Sequence, residues 1–261
     1  MSITITNRQG KKLSVATYGQ PSHPAIVFSN SLGTDKNMWA EQIAALKDQY
    51  FIISYDTRGH GESDVISATT LKNLGEDVLD ILDTLQVEHA HFCGISMGGI
   101  TGLWLGIYTP LRFYSITVAN SAAKIGTTAA WNSRADSVEQ NGLQDIAKST
   151  HTRWFSEQFD YENSVLAQRT IQSLRDTSLQ GYANACRALA NADVSEQLSQ
   201  MNLPVLIIAG AMDPVTTITD ATFMQQRIVD SQLVLINASH LSNIEQSEKF
   251  TQVLKGFIES I

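Results

Sequence analysis

An α/β fold, with an eight-stranded, mostly parallel sheet flanked by helices and a helical lid inserted after the sixth strand, is what this 261-residue sequence predicts. Three observations carry that expectation. Short runs rich in β-formers alternate with amphipathic helical segments, the pattern of right-handed βαβ crossovers. The later runs are continuously apolar, as strands buried on both faces must be. The alternation then stops between the sixth and seventh runs, where helix-like segments follow one another without a convincing strand.

The chain opens with MSITITNRQGKKL, whose polar and apolar residues alternate, so a first strand is expected at Ile3 to Thr6 and a second at Leu13 to Tyr18. Ala25 to Ser29 and Phe51 to Tyr55 supply the third and fourth. Leu71, Leu74, Val78, Leu82 and Leu85 then share one face of a helix that can cover the sheet. A fifth strand at His91 to Gly94 leads into a helix over Gly99 to Tyr108, and a sixth follows at Ser115 to Ala119. From about Ala122 to Gln200 the chain is dominated by Ala, Asn, Ser and Gln. Residues 122–200 therefore read as the lid, and 1–121 with 201–261 as the core. A lid placed there sits over the carboxyl edge of the sheet, where open α/β folds bind their ligands. Val205 to Ala209 and Leu233 to Ile236 resume the sheet, and Phe250, Val253, Leu254 and Phe257 line the face of a closing helix.

Composition narrows the function classes. Hydrophobic residues at 43% and charged residues at 17% exclude a disordered chain or a coiled coil. The net charge of −8 and the lack of any clustered Lys/Arg run oppose binding to nucleic acid or to an anionic membrane. No apolar run approaches the roughly 20 residues of a membrane span, and no secretory leader is expected. Cys93 and Cys186 lie in apolar segments with no CxxC spacing, so both read as reduced core residues of a cytoplasmic protein. Assembly into a homo-oligomer is left open.

Chemistry enters at Gly94-Ile95-Ser96-Met97-Gly98, a GxSxG between a strand and a helix. A nucleophile on so sharp a turn needs small neighbours, because its own backbone is strained and strand and helix crowd together. That context makes Ser96 the candidate nucleophile of an α/β-hydrolase. A serine hydroxyl is a weak nucleophile at neutral pH, so a histidine base and an orienting acid should follow it in the order the fold imposes. Asp213 follows the seventh strand and His240 the eighth, in that order. His60 precedes the serine and is assigned a structural role near the pocket floor, its ring or the Arg58 guanidinium bracing the loop after the fourth strand. The backbone N–H groups of Met97 and Leu32 are the expected oxyanion hole, one after the nucleophile and one after the third strand.

The chain also resembles 3-oxoadipate enol-lactonases, the lactone-opening enzymes of the β-ketoadipate pathway. The segments that carry this are SNSLGTDKNMW at Ser29 to Trp39, YDTRGHGES at Tyr55 to Ser63, GISMGGITGLWLG at Gly94 to Gly106, the stretch Ala119 to Ala123, Trp131 to Arg134, Arg153 to Phe155, and SHLSNIEQ at Ser239 to Gln246. The family's Ser, Asp and His fall on Ser96, Asp213 and His240. The pattern departs at Asp193, which Val194 and Ser195 follow where a basic residue is expected, and it lacks the decarboxylase domain fused in some relatives, which implies a stand-alone enzyme.

The resemblance implies a small anionic enol-lactone as substrate, with neither metal nor organic cofactor. An anion approaching a negatively charged protein needs a local cation, and Arg134 and Arg153, beside Trp131 and Trp154, are the candidates for binding its carboxylate and walling its ring. Other lid-bearing esterases, carbon–carbon bond hydrolases, cofactor-free haloperoxidases and receptors of this fold reuse the same three residues and are the alternatives.

Overall fold

The computed structural model describes residues 2–261. Its eight strands are β1 (Ser2–Thr6), β2 (Lys12–Tyr18), β3 (Ala25–Ser29), β4 (Phe51–Tyr55), β5 (Ala90–Ile95), β6 (Phe113–Ala119), β7 (Val205–Gly210) and β8 (Ser231–Ile236). They form one sheet in the order β1-β2-β4-β3-β5-β6-β7-β8. β2 runs antiparallel to β1 and β4, and every pair from β4 to β8 is parallel.

Strands β3 to β7 are buried almost throughout, which is why their sequences read as unbroken apolar runs. The eighth differs from that expectation. β8 is the edge of the sheet, paired only to β7 and partly exposed along most of its length, with Leu235 at 49%.

Among the described residues eleven α-helices accompany the sheet: α1 (Ala40–Leu46), α2 (Leu71–Thr84), α3 (Met97–Tyr108), α4 (Thr128–Asn141), α5 (Gln144–Ser149), α6 (His151–Trp154), α7 (Val165–Asp176), α8 (Leu179–Asn191), α9 (Ile218–Gln225), α10 (Ser242–Glu245) and α11 (Ser247–Ile258). The N-terminal ends of five of them are set by hydroxyl side chains that satisfy otherwise orphaned N–H groups of the first turn. Thr70 caps α2 in a reciprocal capping box with Asn73, and Thr127, Ser164, Ser178 and Thr217 cap α4, α7, α8 and α9. The face of α2 read from the sequence buries Leu71, Leu74, Val78 and Leu82, with Ile81 beside them.

Helices α4 to α8 all fall between β6 and β7, and α4 packs along α8. The insertion is tied to the core by side chains as well as by packing. Asn184 Nδ2 donates to Ile66 O at 2.9 Å, and Ser173 Oγ to Asp35 at 2.6 Å. Among the described residues no helix is long and apolar enough to cross a membrane.

The strand order has a functional consequence. After β4 the chain crosses to β5 on the other side of β3, so the loops leaving the carboxyl ends of β3 and β5 diverge around a crevice. Such a switch point is where open parallel sheets place ligands. Ser96 and Leu32 stand on those two loops.

Candidate active site

Ser96 terminates β5 and immediately precedes α3, with φ at 56° and ψ at −114°. A residue with a Cβ pays about 1–3 kcal/mol for such a conformation. Here it is held by the Ser96 N–H bond to Ala119 O at 3.0 Å and by Ser121 Oγ, which donates to Ser96 O at 2.7 Å. The turn closes only because its flanks are glycine. A Cβ on Gly94 would lie 2.1 Å from Gly98 O, and one on Gly98 would lie 2.2 Å from Ser29 O. Both obstacles are backbone, so Gly94→Ala is expected to destabilise the protein by about 1–3 kcal/mol through overpacking, read as a lowered thermal midpoint; an unchanged midpoint would mean that the turn is looser than this.

The loop after β3 is pinned against the same turn. Asn30 donates from Nδ2 to Tyr55 O at 2.8 Å and accepts from Trp39 Nε1 at 2.9 Å, while its carbonyl accepts the Gly98 N–H at 3.0 Å. Met97 is the first residue of α3, where an N–H has no intrahelical acceptor. Among the described residues neither the Met97 nor the Leu32 N–H donates to a protein acceptor. Two free donors thus flank Ser96, on helix and loop.

Asp213 follows β7 and is buried. Its Oδ2 accepts from His240 Nδ1 at 2.8 Å, Thr216 Oγ1 at 2.8 Å and Asn120 Nδ2 at 3.0 Å; its Oδ1 accepts the N–H groups of Val215 at 2.7 Å and Thr216 at 3.1 Å. Burial pushes the carboxyl up, but the charge of His240 and the bonds from His240, Asn120 and Val215 outweigh it and hold it below the ordinary carboxylate range. The contact with Nδ1 leaves the other ring nitrogen of His240 for the cavity side.

One cavity of about 240 Å³ collects Leu32, Ser96, His240, Trp131, Trp154, Arg134 and Arg153. Met97 and Asp213 are buried behind Ser96 and His240 rather than on its wall. Among the described residues no carboxylate lies within 4.0 Å of either arginine, so the insertion offers two guanidinium groups that no acid of those residues neutralises. Arg134 stands 5.6 Å from the Trp131 ring and 5.5 Å from the Tyr182 ring, with its Nε buried and unpaired. Burial, with the like charge of Arg134, pulls Arg153 below its usual value.

The remaining histidines lie elsewhere. His60 is fully buried off the cavity wall with Nδ1 3.2 Å from Arg58 O, and burial lowers its affinity for a proton. Arg58 does the bracing, donating twice to Asp77 of α2 at 2.7 Å. His89 and His91 pack on Tyr114, and His151 stacks on Tyr161. Asp193 pairs with Lys124 at 3.1 Å, far along the chain from the residue expected to follow it.

Asn120 is a site residue that sequence reasoning missed. At φ 42° its side chain donates to both Asp213 and Ser239 O, each at 3.0 Å, and accepts from Ser242 Oγ at 2.5 Å. It joins the acid loop to the histidine loop from the end of β6. Tyr182 was missed as well, and it walls the cavity from α8.

A family model described as alpha/beta hydrolase fold matches residues 24–247. The chain is 69% identical to 3-oxoadipate enol-lactonase 1 of Acinetobacter baylyi, over 100% of this chain and 98% of that protein. It is 47% identical to 3-oxoadipate enol-lactonase 2 of the same organism, over 96% and 94%. The crystal structure of the enol-lactonase from Burkholderia xenovorans superposes with a TM-score of 0.95 at 34% identity, covering 98% of this chain and 100% of that one.

Proposed function

The chain belongs to the α/β-hydrolase family, among its 3-oxoadipate enol-lactonases, and from that premise we infer that it opens 3-oxoadipate enol-lactone to 3-oxoadipate, a step of the β-ketoadipate pathway. The observation that carries the reading is one cavity that joins Ser96 and His240 to two guanidinium groups, Arg134 and Arg153, which no acid among the described residues pairs. A pocket of that size and charge suits a small anion with an ester bond.

The substrate carboxylate pairs with Arg134, which sets the ring between Trp131 and Trp154 and brings its carbonyl over Ser96. Ser96 Oγ attacks the carbonyl carbon as His240 takes the hydroxyl proton. The charge that develops on the carbonyl oxygen is met by the N–H groups of Met97 and Leu32. The ring C–O bond then breaks and His240 gives its proton to the departing enol oxygen, which tautomerises to a ketone. A water molecule, deprotonated by His240, attacks the acyl-serine and releases 3-oxoadipate with Ser96 regenerated. Asp213 keeps Nδ1 protonated and offsets the imidazolium charge in both halves. No step calls on a metal or an organic cofactor. The enzyme works in the cytoplasm on this reading, where the two buried free thiols Cys93 and Cys186 stay reduced.

Arg134→Ala tests the substrate class. A charge-assisted hydrogen bond contributes about 1.5–3 kcal/mol, so kcat/KM for the anionic lactone falls roughly 10- to 100-fold, while that for a neutral ester of similar size changes much less. Equal losses on the two substrates would remove Arg134 from carboxylate recognition.

A further inference from the structure

Four carboxylates are buried among the described residues: Asp56, Asp77, Asp213 and Glu245. Three of them face a cation or an imidazole, namely Lys36, Arg58 and His240. Glu245 faces neither, although it lies five residues beyond His240 at the end of α10. A buried carboxylate without a counter-charge persists only where hydrogen-bond donors replace its water. Glu245 Oε2 accepts the N–H groups of Ser239 at 2.8 Å and of Ser156 at 3.1 Å, and its Oε1 accepts the hydroxyl of Ser156.

These donors come from two segments that meet nowhere in sequence. Ser239 immediately precedes His240, whereas Ser156 belongs to the insertion, two residues beyond Trp154. The same segments touch twice more: the Leu241 N–H donates to Trp154 O at 2.9 Å and Ser239 Oγ donates to Arg153 O at 3.1 Å. Residues 153–156 therefore form a strap along residues 239–241. Arg153 and Trp154 line the cavity from one side of this seam, and His240 lines it from the other.

We propose that Glu245 is a positioning residue that holds both the His240 loop and the substrate-facing strap of the insertion, each keeping its setting through its own donors to this one carboxylate. The proposal rests on the hydrolase reading given above. Glutamine can replace the carboxylate, its oxygen facing the two N–H groups and its NH2 donating to the Ser156 hydroxyl, whereas alanine leaves all three donors without an acceptor. The histidine loop is then free to drift, and a displacement on the order of 1 Å in a reacting group can cost about 100-fold in rate.

The test uses a small neutral fluorophosphonate, which needs no lactone. Ser96 Oγ forms a bond to phosphorus, fluoride leaves, and His240 accepts the serine proton, so the rate reports how well the histidine is held. Glu245→Ala is expected to slow phosphonylation about 10- to 100-fold. Ser156→Ala removes only the hydroxyl donor on the strap side, so it is expected to raise KM for the lactone with phosphonylation within about 3-fold of the parent protein. Parent-rate phosphonylation of a folded Glu245→Ala protein overturns the proposal. If that variant does not fold, Ser156→Ala decides: a raised KM at near-parent phosphonylation supports the seam, and an unchanged KM overturns it. A protein phosphonylated at Ser96 but inactive on the lactone would instead count against the substrate and leave the phosphonylation comparison standing.

Discussion

Ser96→Ala lowers turnover of the lactone by roughly five to six orders of magnitude while the protein remains folded. Loss of the nucleophile leaves only what the two N–H donors and substrate binding provide to a water attack, a residue of roughly 10³- to 10⁴-fold over the uncatalysed reaction in hydrolases of this kind. The fold survives for a local reason. Alanine keeps the Cβ, so the strain at φ 56° is the same in both proteins, and the bonds that hold the turn run through the Ser96 N–H and carbonyl rather than through Oγ. The stability change is therefore within about 1 kcal/mol. Burst titration and steady-state assay of the purified variant read the first effect, and thermal unfolding reads the second. A variant with substantial turnover would take the covalent role away from Ser96.

Asp213→Asn is the second large effect, a loss of about 10⁴-fold in kcat. Five donors converge on the two carboxylate oxygens, from His240, Thr216 Oγ1, Asn120, and the Val215 and Thr216 N–H groups. An asparagine amide has one oxygen and one NH2, so either orientation sets NH2 against donors. Turned toward His240, it selects the wrong tautomer of the base. Turned toward the Val215 and Thr216 N–H groups, it breaks the loop that carries it. The pH dependence has a definite sign. The carboxyl is depressed in the folded protein, so its contribution to stability is fully present above the ordinary carboxylate pKa and is lost as pH falls through the lower folded value. Asp213→Asn lacks that component, and its acid-unfolding curve is correspondingly flatter in this range. An asparagine variant with near-parent kcat would show that His240 needs no buried acid.

Ser96, Asp213 and His240 were legible as a candidate nucleophile, acid and base because each has a local signature after a strand, and because chain order restricts which acid and which histidine can serve. The structure brings His240 and Asp213 into contact and sets Ser96 on the same cavity as His240. Arg134 and Arg153 stood out as cations beside tryptophans in the insertion. Asn120 and Glu245 carried no such signal. Asn120 meets Asp213 across 93 positions and Glu245 meets Ser156 across 89, and their polar side chains become informative only when the sheet has aligned the loops that they join. The segments containing both were noticed as family resemblance alone. The edge position of β8 was hidden for a related reason. An apolar run reads the same whether its second neighbour is a strand or solvent, and pairing is a property of the whole sheet.

The most direct test of the account is steady-state hydrolysis of 3-oxoadipate enol-lactone, generated in place and followed by the loss of its ultraviolet absorbance, with the purified protein beside Ser96→Ala. Turnover on the order of 10 per second or faster, abolished in the variant, is the expected result. No turnover of this lactone, alongside Ser96-dependent hydrolysis of neutral esters, would contradict it.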